Sequence, residues 1–234
     1  MLANWNRKCL GTIVRMYNLN FPDYFIDSWE KMIHFNNEFL CDQPSYIHYT
    51  KGRVSYHELG RNGAVNEMRG DWLFMVDTDH MFAPDLLDRL LFLRQKYNSQ
   101  VISGIYQYKV PPHAPVANVW QSPDKDHKGL TGIVNWPKNE PVVNIGAVGG
   151  GVLLINREVF DRIKTELNEE PFTKDYGLSE DYAFCYRCKK LDIPIHLAIN
   201  VQSHHVINCP LDIRDYKYLQ NGLSVKVEDG KIIV

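Results

Sequence analysis

Apolar and polar positions alternate along the chain in segments that predict strands and helices in turn. Short apolar runs rich in branched and aromatic residues predict strands, and longer segments with apolar residues every three or four positions predict helices. The predicted strands cover 10–16, 45–49, 72–76, 100–106, 151–155 and 194–202. The predicted helices cover 22–40, 56–68, 84–97, 157–167 and 180–191. Such alternation predicts an α/β sandwich.

Two stretches depart from this alternation. Residues 107–147 are rich in proline and show little periodicity, which predicts irregular structure with short strands. Residues 225–234 predict a hairpin around Glu228-Asp229-Gly230. No repeat or domain boundary interrupts the chain. We therefore expect one domain over 1–234, with a core at about 10–206 and a tail at 207–234.

The predicted strand at 72–76 ends at an acidic motif, Asp77-Thr78-Asp79-His80. Its sequence, WLFMV, is apolar throughout, which predicts a strand buried on both faces. Carboxylates at the carboxyl end of such a strand lie where open α/β sheets bind ligands. Their oxygens suit Mg²⁺ or Mn²⁺, which usually share their coordination with substrate phosphates. A polar loop that caps the next helix is the alternative interpretation.

Composition narrows the classes of function. The 234 residues are enough for one core, and 44% apolar with 23% charged residues is typical of a globular domain. A formal net charge of −2 gives no basic footprint, so we expect no nucleic-acid partner. No apolar run approaches the length of a membrane span, and the N-terminus lacks the apolar core of a signal peptide. We expect a soluble cytoplasmic protein, with peripheral membrane association as the alternative.

The five cysteines form no regular disulfide framework, which predicts reduced thiols. Cys185 and Cys188 form a C-x-x-C inside a predicted helix, and no second pair completes a zinc site. We expect no metal or redox role for them.

Four blocks of sequence follow one another in a familiar order. The first is GRNGAVNEMRGDWLFMVDTDH, over 60–80. The others are VGGGVLLI over 148–155, SEDYAFC over 179–185, and the pair His204-His205. Together they resemble the DxD segment, the glycine-rich segment, the acidic helix start and the late histidine of family-2-like glycosyltransferases of the GT-A fold. The resemblance spans roughly residues 10–206.

The resemblance implies a single-domain GT-A fold, an α/β/α sandwich with a mostly parallel sheet, and a divalent cation that binds a nucleotide-diphosphate sugar. Asp79 is the predicted metal ligand. Asp77 is a second candidate, although it is expected to face the ribose or base of a UDP- or GDP-type donor, with Thr78 between the two. His205 aligns better with the late histidine than His204, and the other of the two is expected to pack at a strand end. An imidazole ligand favours Mn²⁺ over Mg²⁺.

Asp181 is the predicted general base, because the resemblance places the last acid of its block beside the acceptor hydroxyl. The position has a second interpretation. Ser179, Glu180 and Asp181 begin a predicted helix, where an N-cap serine and acidic side chains are stabilising for structural reasons alone. Glu180 is the alternative base, or a residue that holds an acceptor hydroxyl.

The remaining predicted contacts with the nucleotide sugar come from a glycine loop and from basic and aromatic residues. Gly150 and Gly151 lie beside the donor sugar in the resembling enzymes, and a tight turn into a buried strand is the alternative. Arg61 either reaches the base or diphosphate or lies on a helix surface. Tyr17 either stacks on the base or packs in the core. Arg15 replaces the family's usual proline, which leaves UDP, GDP and dTDP open.

His80 follows the acidic motif directly. On an extended segment it would point away from Asp79. We therefore expect it to be a loop residue facing solvent rather than a metal ligand.

These expectations combine into a metal-dependent, inverting glycosyltransferase of hexosyltransferase type, with a role in glycan biosynthesis. Its partners would be a nucleotide-sugar donor and a glycan or another hydroxyl acceptor. Two alternatives are open. A sugar-phosphate nucleotidyltransferase would usually carry glycine and basic residues after the first strand, whereas residues 17–21 contain neither. A non-catalytic nucleotide- or glycan-binding module would not need the acids at 77, 79 and 181.

Overall fold

The structure is a computed structural model that describes residues 11–16, 22–39, 46–49, 57–133, 140–206, 226–228 and 231–233. Side chains are described within 22–36, 57–133 and 140–206. The helices are α1 (Asp23–Phe39), α2 (His57–Glu67), α3 (Leu86–Lys96), α4 (Arg157–Arg162) and α5 (Glu180–Lys190), with a π-helical turn, Ile163–Leu167, after α4. The strands are β1 (Gly11–Met16), β2 (Tyr46–Tyr49), β3 (Trp72–Asp77), β4 (His80–Phe82), β5 (Val101–Ile105), β6 (Ala117–Trp120), β7 (Leu130–Gly132), β8 (Val142–Ile145), β9 (Ala147–Val148), β10 (Val152–Asn156), β11 (Ile195–His205), β12 (Lys226–Glu228) and β13 (Lys231–Ile233).

The central sheet has the strand order β2-β1-β3-β10-β5-β11-β4. β1 is parallel to both β2 and β3, and β5 is parallel to β11. Between them β10 runs antiparallel to β3 and β5, so β1, β2, β3, β5 and β11 all point the same way. The carboxyl ends of these parallel strands therefore meet at one edge of the sheet, where open α/β folds bind ligands.

Side chains of β3 alternate between two cores, which explains why its sequence is apolar throughout. Leu73 and Met75 belong to the core that contains residues of α2, α4 and α5. Phe74 and Val76 belong to the core that contains residues of α1 and α3. Because successive strand residues face opposite sides, a strand covered by helices on both faces needs apolar residues at every position. The predicted α/β class, with helices on both faces of a mostly parallel sheet, is confirmed.

Most predicted elements lie within a few residues of the observed ones, and the differences are informative. The helix predicted over 157–167 is α-helical only to Arg162 and continues as a π-helical turn. The prediction that a strand ends just before the paired histidines is wrong, because β11 continues through His205. It continues because β4, a strand that we did not predict, pairs antiparallel with its last residues.

The irregular region contains a small three-stranded sheet of β7, β6 and β9, as the prediction of short strands implies. In the C-terminal segment, where the sequence predicts a hairpin, β12 and β13 pair antiparallel. Among the described helices, none is long and apolar enough to cross a bilayer.

Cys185 and Cys188 are free thiols buried in α5. Burial raises the pKa of both thiols above the usual range. Within the side chains that the structure describes, neither belongs to a group with metal-binding geometry. Cys9, Cys41 and Cys209 lie outside the described residues.

Candidate functional site

A buried arginine contacts three of the sequence blocks at the carboxyl edge of the sheet. Arg61 of α2 is 1% exposed, and its Nη1 donates to the carbonyl oxygen of Gly150 at 2.9 Å. Its Nη2 donates to Asp77 Oδ1 at 3.1 Å, at the end of β3. Its Nε lies 3.6 Å from Oε1 of Glu180, the first residue of α5. One guanidinium therefore contacts the acidic motif, the glycine loop and the acidic helix start.

Asp77 faces inward toward this arginine. Burial raises the pKa of its carboxyl group to about 6, although the charge of Arg61 acts to lower it. Its backbone N–H donates to the carbonyl oxygen of Gly151 at 2.9 Å, which joins the end of β3 to the glycine loop. The predicted contact of Asp77 with a ribose or base stays a prediction. In the structure its carboxylate is bound by Arg61.

The three glycines of the loop are required by neighbouring side chains of the protein itself. A Cβ at Gly150 would lie 2.4 Å from Cζ of Arg61, and one at Gly149 would lie 2.4 Å from Oη of Tyr106. A Cβ at Gly151 would lie 2.7 Å from Nε2 of His80. Contacts this short are not found for real Cβ atoms. Close packing against side chains of the protein is therefore a reason for the glycines that neither interpretation of the sequence proposed. The predicted position of the loop beside a donor sugar stays a prediction.

Asp79 is turned away from Asp77 and toward two histidines. Residues 78 and 79 form a turn between β3 and β4. Oδ2 of Asp79 lies 3.3 Å from Nε2 of His205, and its Oδ1 lies 3.8 Å from Nε2 of His80. One ligand atom from each of these three residues lies within 4.8 Å of the others, which is compact enough to hold a metal ion. Asp77 and His204, which the sequence also offered as metal ligands, are not part of this group.

Both imidazoles are oriented through their other ring nitrogen. Nδ1 of His205 is 2.8 Å from the carbonyl oxygen of Gln107, and Nδ1 of His80 is 2.5 Å from Oγ of Ser203. The two rings stack with centroids 4.7 Å apart, and Tyr106 packs edge-on against each. In metal sites a histidine is oriented in this way, with Nδ1–H donating a hydrogen bond and Nε2 left as the metal-binding atom.

The prediction that His80 faces solvent is wrong. The residue is 1% exposed and belongs to β4, directly opposite His205 in the ladder with β11. The prediction assumed that the extended conformation of β3 continues through Asp79, whereas the turn at 78–79 reverses the direction of the chain. Burial lowers the pKa of His80 to about 3, with the nearby His205 acting in the same direction, so its ring is neutral at physiological pH.

Lys109 brings a positive charge to the same carboxylate. Its Nζ lies 2.6 Å from Oδ2 of Asp79, and the lysine side chain is 38% exposed. The pKa of Asp79 is lowered from its ordinary value: burial acts to raise it, but the hydrogen bonds to His205 and Lys109 outweigh that effect. Asp79 is therefore an anion across the physiological pH range.

Asp181 lies on the other side of the glycine loop. Its Oδ2 accepts a hydrogen bond from the N–H of Gly150 at 3.1 Å, and its Oδ1 accepts one from the N–H of Tyr182 at 2.8 Å. Oγ of Ser179 also donates to Oδ1. Ser179 makes no side-chain N-cap hydrogen bond, contrary to the capping interpretation, so the acid satisfies the helix start in its place. Glu180 is buried against Arg61 and lies 3.7 Å from Nδ1 of His57.

Several predicted residues receive less definition from the structure. Thr78 is buried in the turn between the two acids. Arg15 lies in β1 without a described side chain, and Tyr17 lies outside the described residues. Sequence reasoning missed Tyr106 and Lys109. Both come from the segment after β5, and their role in the site depends on packing that has no local sequence signal.

Comparisons with known proteins support the fold but do not identify a function. No protein-family model matches the chain, and no curated protein matches it. The crystal structure of A197 from STIV is similar with a TM-score of 0.54 and 15% identity, covering 84% of this chain and 85% of that one. The structure of UDP-glucose pyrophosphorylase complexed with UDP-glucose gives a TM-score of 0.49 and 9% identity, covering 83% and 92%. The first likeness shows the fold alone, and the second is too weak to carry an argument. The glycosyltransferase resemblance therefore stays a prediction.

Arg61→Met should strongly destabilise the protein. It leaves the partly buried carboxylate of Asp77 and the buried carboxylate of Glu180 without their cation, and breaking a buried ion pair costs about 3–5 kcal/mol. We expect that loss in the free energy of unfolding, measured by urea denaturation. Arg162→Met is the matched control, because its ion pair with Glu166 is solvent-exposed and should contribute little. Equal losses in the two variants would contradict a central structural role for Arg61.

Gly150→Ala should destabilise the protein by about 1–3 kcal/mol, because the added methyl group overlaps the guanidinium of Arg61. Gly63→Ala is the matched control. Gly63 lies inside α2, and a Cβ there meets nothing within 4 Å. Alanine at this helical position should stabilise the protein by about 0.5–1 kcal/mol. Thermal and urea unfolding of both variants check the opposite signs, and a neutral Gly150→Ala would contradict the close approach.

Proposed function

We propose that the protein is a metal-dependent glycosyltransferase that moves a sugar from a nucleotide-diphosphate sugar to an acceptor hydroxyl, with inversion. One observation carries most of the support. Oδ2 of Asp79, in the DxD motif, lies 3.3 Å from Nε2 of His205 at the carboxyl edge of the parallel sheet. Asp181 contacts the glycine loop that also contacts Arg61. The blocks that resemble the glycosyltransferase family thus contribute to one site.

Asp79 and His205 are the residues that we propose to hold the cation. Oδ1 of Asp79 is buried and has no hydrogen-bond partner, which fits a carboxylate with an unfilled ligand position. Mn²⁺ accepts imidazole more readily than Mg²⁺ does, so we propose Mn²⁺ as the cofactor. When bound, the cation would neutralise charge that develops on the departing nucleoside diphosphate.

Lys109 would supply further positive charge for the diphosphate. Its ammonium group is partly exposed while it contacts Asp79, so it can reach a ligand at the same place. A lysine is a common point charge for phosphate binding in proteins. Together with a cation, it would make the site attractive to the pyrophosphate of a nucleotide sugar.

Asp181 would take the proton from the acceptor hydroxyl. A carboxylate offers about four acceptor positions. The N–H groups of Gly150 and Tyr182 and the hydroxyl of Ser179 occupy three of them, which hold the carboxylate in place. The remaining position can accept a hydrogen bond from the acceptor hydroxyl. Glu180 is enclosed by Arg61 and His57, so we propose that it positions Arg61 rather than acting as the base.

The reaction is tested by incubating the protein with UDP-, GDP- and dTDP-sugars, Mn²⁺ and a panel of sugar acceptors. We expect nucleoside diphosphate and a glycosylated acceptor, with both products lost on chelation of the metal and in Asp79→Asn. In a parallel reaction with added pyrophosphate, formation of nucleoside triphosphate and sugar phosphate from the nucleotide sugar would instead identify a nucleotidyltransferase. Metal-dependent nucleotide binding with neither product would identify a non-catalytic binding module.

Asp181→Asn should reduce the rate of sugar transfer by about 10²–10⁴-fold with little change in affinity for the nucleotide sugar, because a general base acts in the transition state. The NH₂ group of the new amide cannot accept a hydrogen bond, so it would leave one of the N–H groups of Gly150 and Tyr182 without its acceptor. We therefore also expect the free energy of unfolding to fall by about 1–3 kcal/mol.

Ser179→Ala is the control for that loss of stability. It removes one hydrogen bond to Asp181 but leaves the carboxylate. The rate of sugar transfer by Ser179→Ala should stay within about a few-fold of the wild-type rate, because only one hydrogen bond that orients Asp181 is lost. If folded Asp181→Asn transfers sugar as fast as Ser179→Ala, Asp181 is not the base.

A further inference from the structure

The pairing of β4 with β11 brings two histidines to the same side of the sheet. His80 and His205 are directly opposite each other in this antiparallel ladder. Residues opposite each other share a face of the sheet, whereas the next residue along the strand points to the other face. His204 therefore faces away from His80. Ser203, two positions before His205, is on the shared face and contacts Nδ1 of His80 at 2.5 Å.

Two buried polar atoms in this region face each other without a hydrogen bond. Nε2 of His80 and Oδ1 of Asp79 are 3.8 Å apart, and both are buried with no hydrogen-bond partner in the structure. His80 is 1% exposed, so water does not satisfy its ring from outside. Buried polar groups are normally paired, and an unpaired one calls for an explanation such as an ion.

The surroundings leave Nε2 of His80 accessible from the side on which the Asp79 carboxylate lies. A Cβ at residue 151 would lie 2.7 Å from Nε2 of His80, so any side chain there would cover it. The hydrogen bond between Nδ1 of His80 and Oγ of Ser203 holds the opposite edge of the ring. His80 is therefore oriented in the way that a metal-binding histidine is, with Nδ1 anchored and Nε2 available.

We infer that His80 is a ligand of the cation together with Asp79 and His205. The inference rests on the proposed function for the presence of a cation, and it adds the composition of the site. Two imidazole nitrogens and one carboxylate favour first-row transition ions such as Mn²⁺, Co²⁺ and Zn²⁺, whereas Mg²⁺ and Ca²⁺ prefer oxygen ligands. The site should therefore select transition ions over Mg²⁺ before any nucleotide binds.

The test is titration of the metal-free full chain with Co²⁺, Zn²⁺, Mn²⁺ and Mg²⁺ by calorimetry, without nucleotide. Visible absorption of Co²⁺ gives a second readout, because its bands respond to the ligands bound. We expect Co²⁺ and Zn²⁺ to bind more tightly than Mn²⁺, following the general order of affinities, and Mg²⁺ to bind most weakly.

Two variants and a control address His80 directly. His80→Asn keeps a polar group near the position of Nδ1 and removes Nε2, so Co²⁺ affinity should fall and the absorption bands should shift. Ser203→Ala only releases the ring, and should lower the affinity by about 10- to 100-fold. His204→Ala is the neighbouring control and should bind Co²⁺ as the wild type does. Thermal unfolding of each variant establishes that it is folded, and Ser203→Ala tests the same nitrogen if His80→Asn does not fold.

Wild-type affinity for Co²⁺ in both His80→Asn and Ser203→Ala would overturn the inference, as would equal binding of Mg²⁺ and Co²⁺ by the wild type. The sugar-transfer assay separates this failure from that of the proposed function. Metal-dependent transfer by His80→Asn with unchanged Co²⁺ binding would overturn only the role of His80. Co²⁺ binding that depends on His80, without any sugar transfer, would support the ligand set and overturn the glycosyltransferase.

Discussion

The site depends on burying one guanidinium. Arg61 can be buried only because acceptors from three separate segments surround it: the carboxylate of Asp77, the carbonyl of Gly150 and the carboxylate of Glu180. A buried charge without such partners would be strongly unfavourable, so Arg61 and its three acceptors must come together when the protein folds. The same requirement fixes β3, the glycine loop and α5 relative to one another. Arg61 thus sets the geometry of the site without needing to contact a substrate.

The burial of Arg61 gives the two acids of the DxD motif different environments. Asp77 is held inside by Arg61, and burial raises its pKa to about 6. Asp79, two residues later, lies beyond the turn, and its oxygens face His80, His205 and Lys109. One carboxylate therefore stabilises the end of β3 while the other is directed at groups that can bind a cation or a phosphate. The spacing of one residue and the turn together make two environments from one short motif.

How far the sequence could predict the site depends on the range of the interactions involved. The β3 strand, the acidic motif and the acidic start of α5 have local patterns, and the structure contains each of them. The partner of Arg61 and the reason for Gly150 have none, because they come from contacts across 16 and 89 positions of sequence. His80 was misjudged for the same reason. Its burial follows from pairing with β11, and a three-residue strand has too little periodicity to predict that pairing.

The candidate metal group is specified by strand register rather than by loop conformation. Along β11, His204 and His205 point to opposite faces, so a shift of one residue in the pairing with β4 would replace one by the other. The hydrogen bond from the N–H of Val206 to the carbonyl of Asp79, at 2.8 Å, fixes the register where the two strands meet the turn. The same hydrogen bond joins the backbone of the acidic motif to the strand that carries His205. Asp79 and both imidazoles are thus placed by backbone pairing, and side chains such as Ser203 need only orient the rings. Residues held by a sheet ladder are placed more precisely than residues held by loops, which would suit the cation selectivity that we propose.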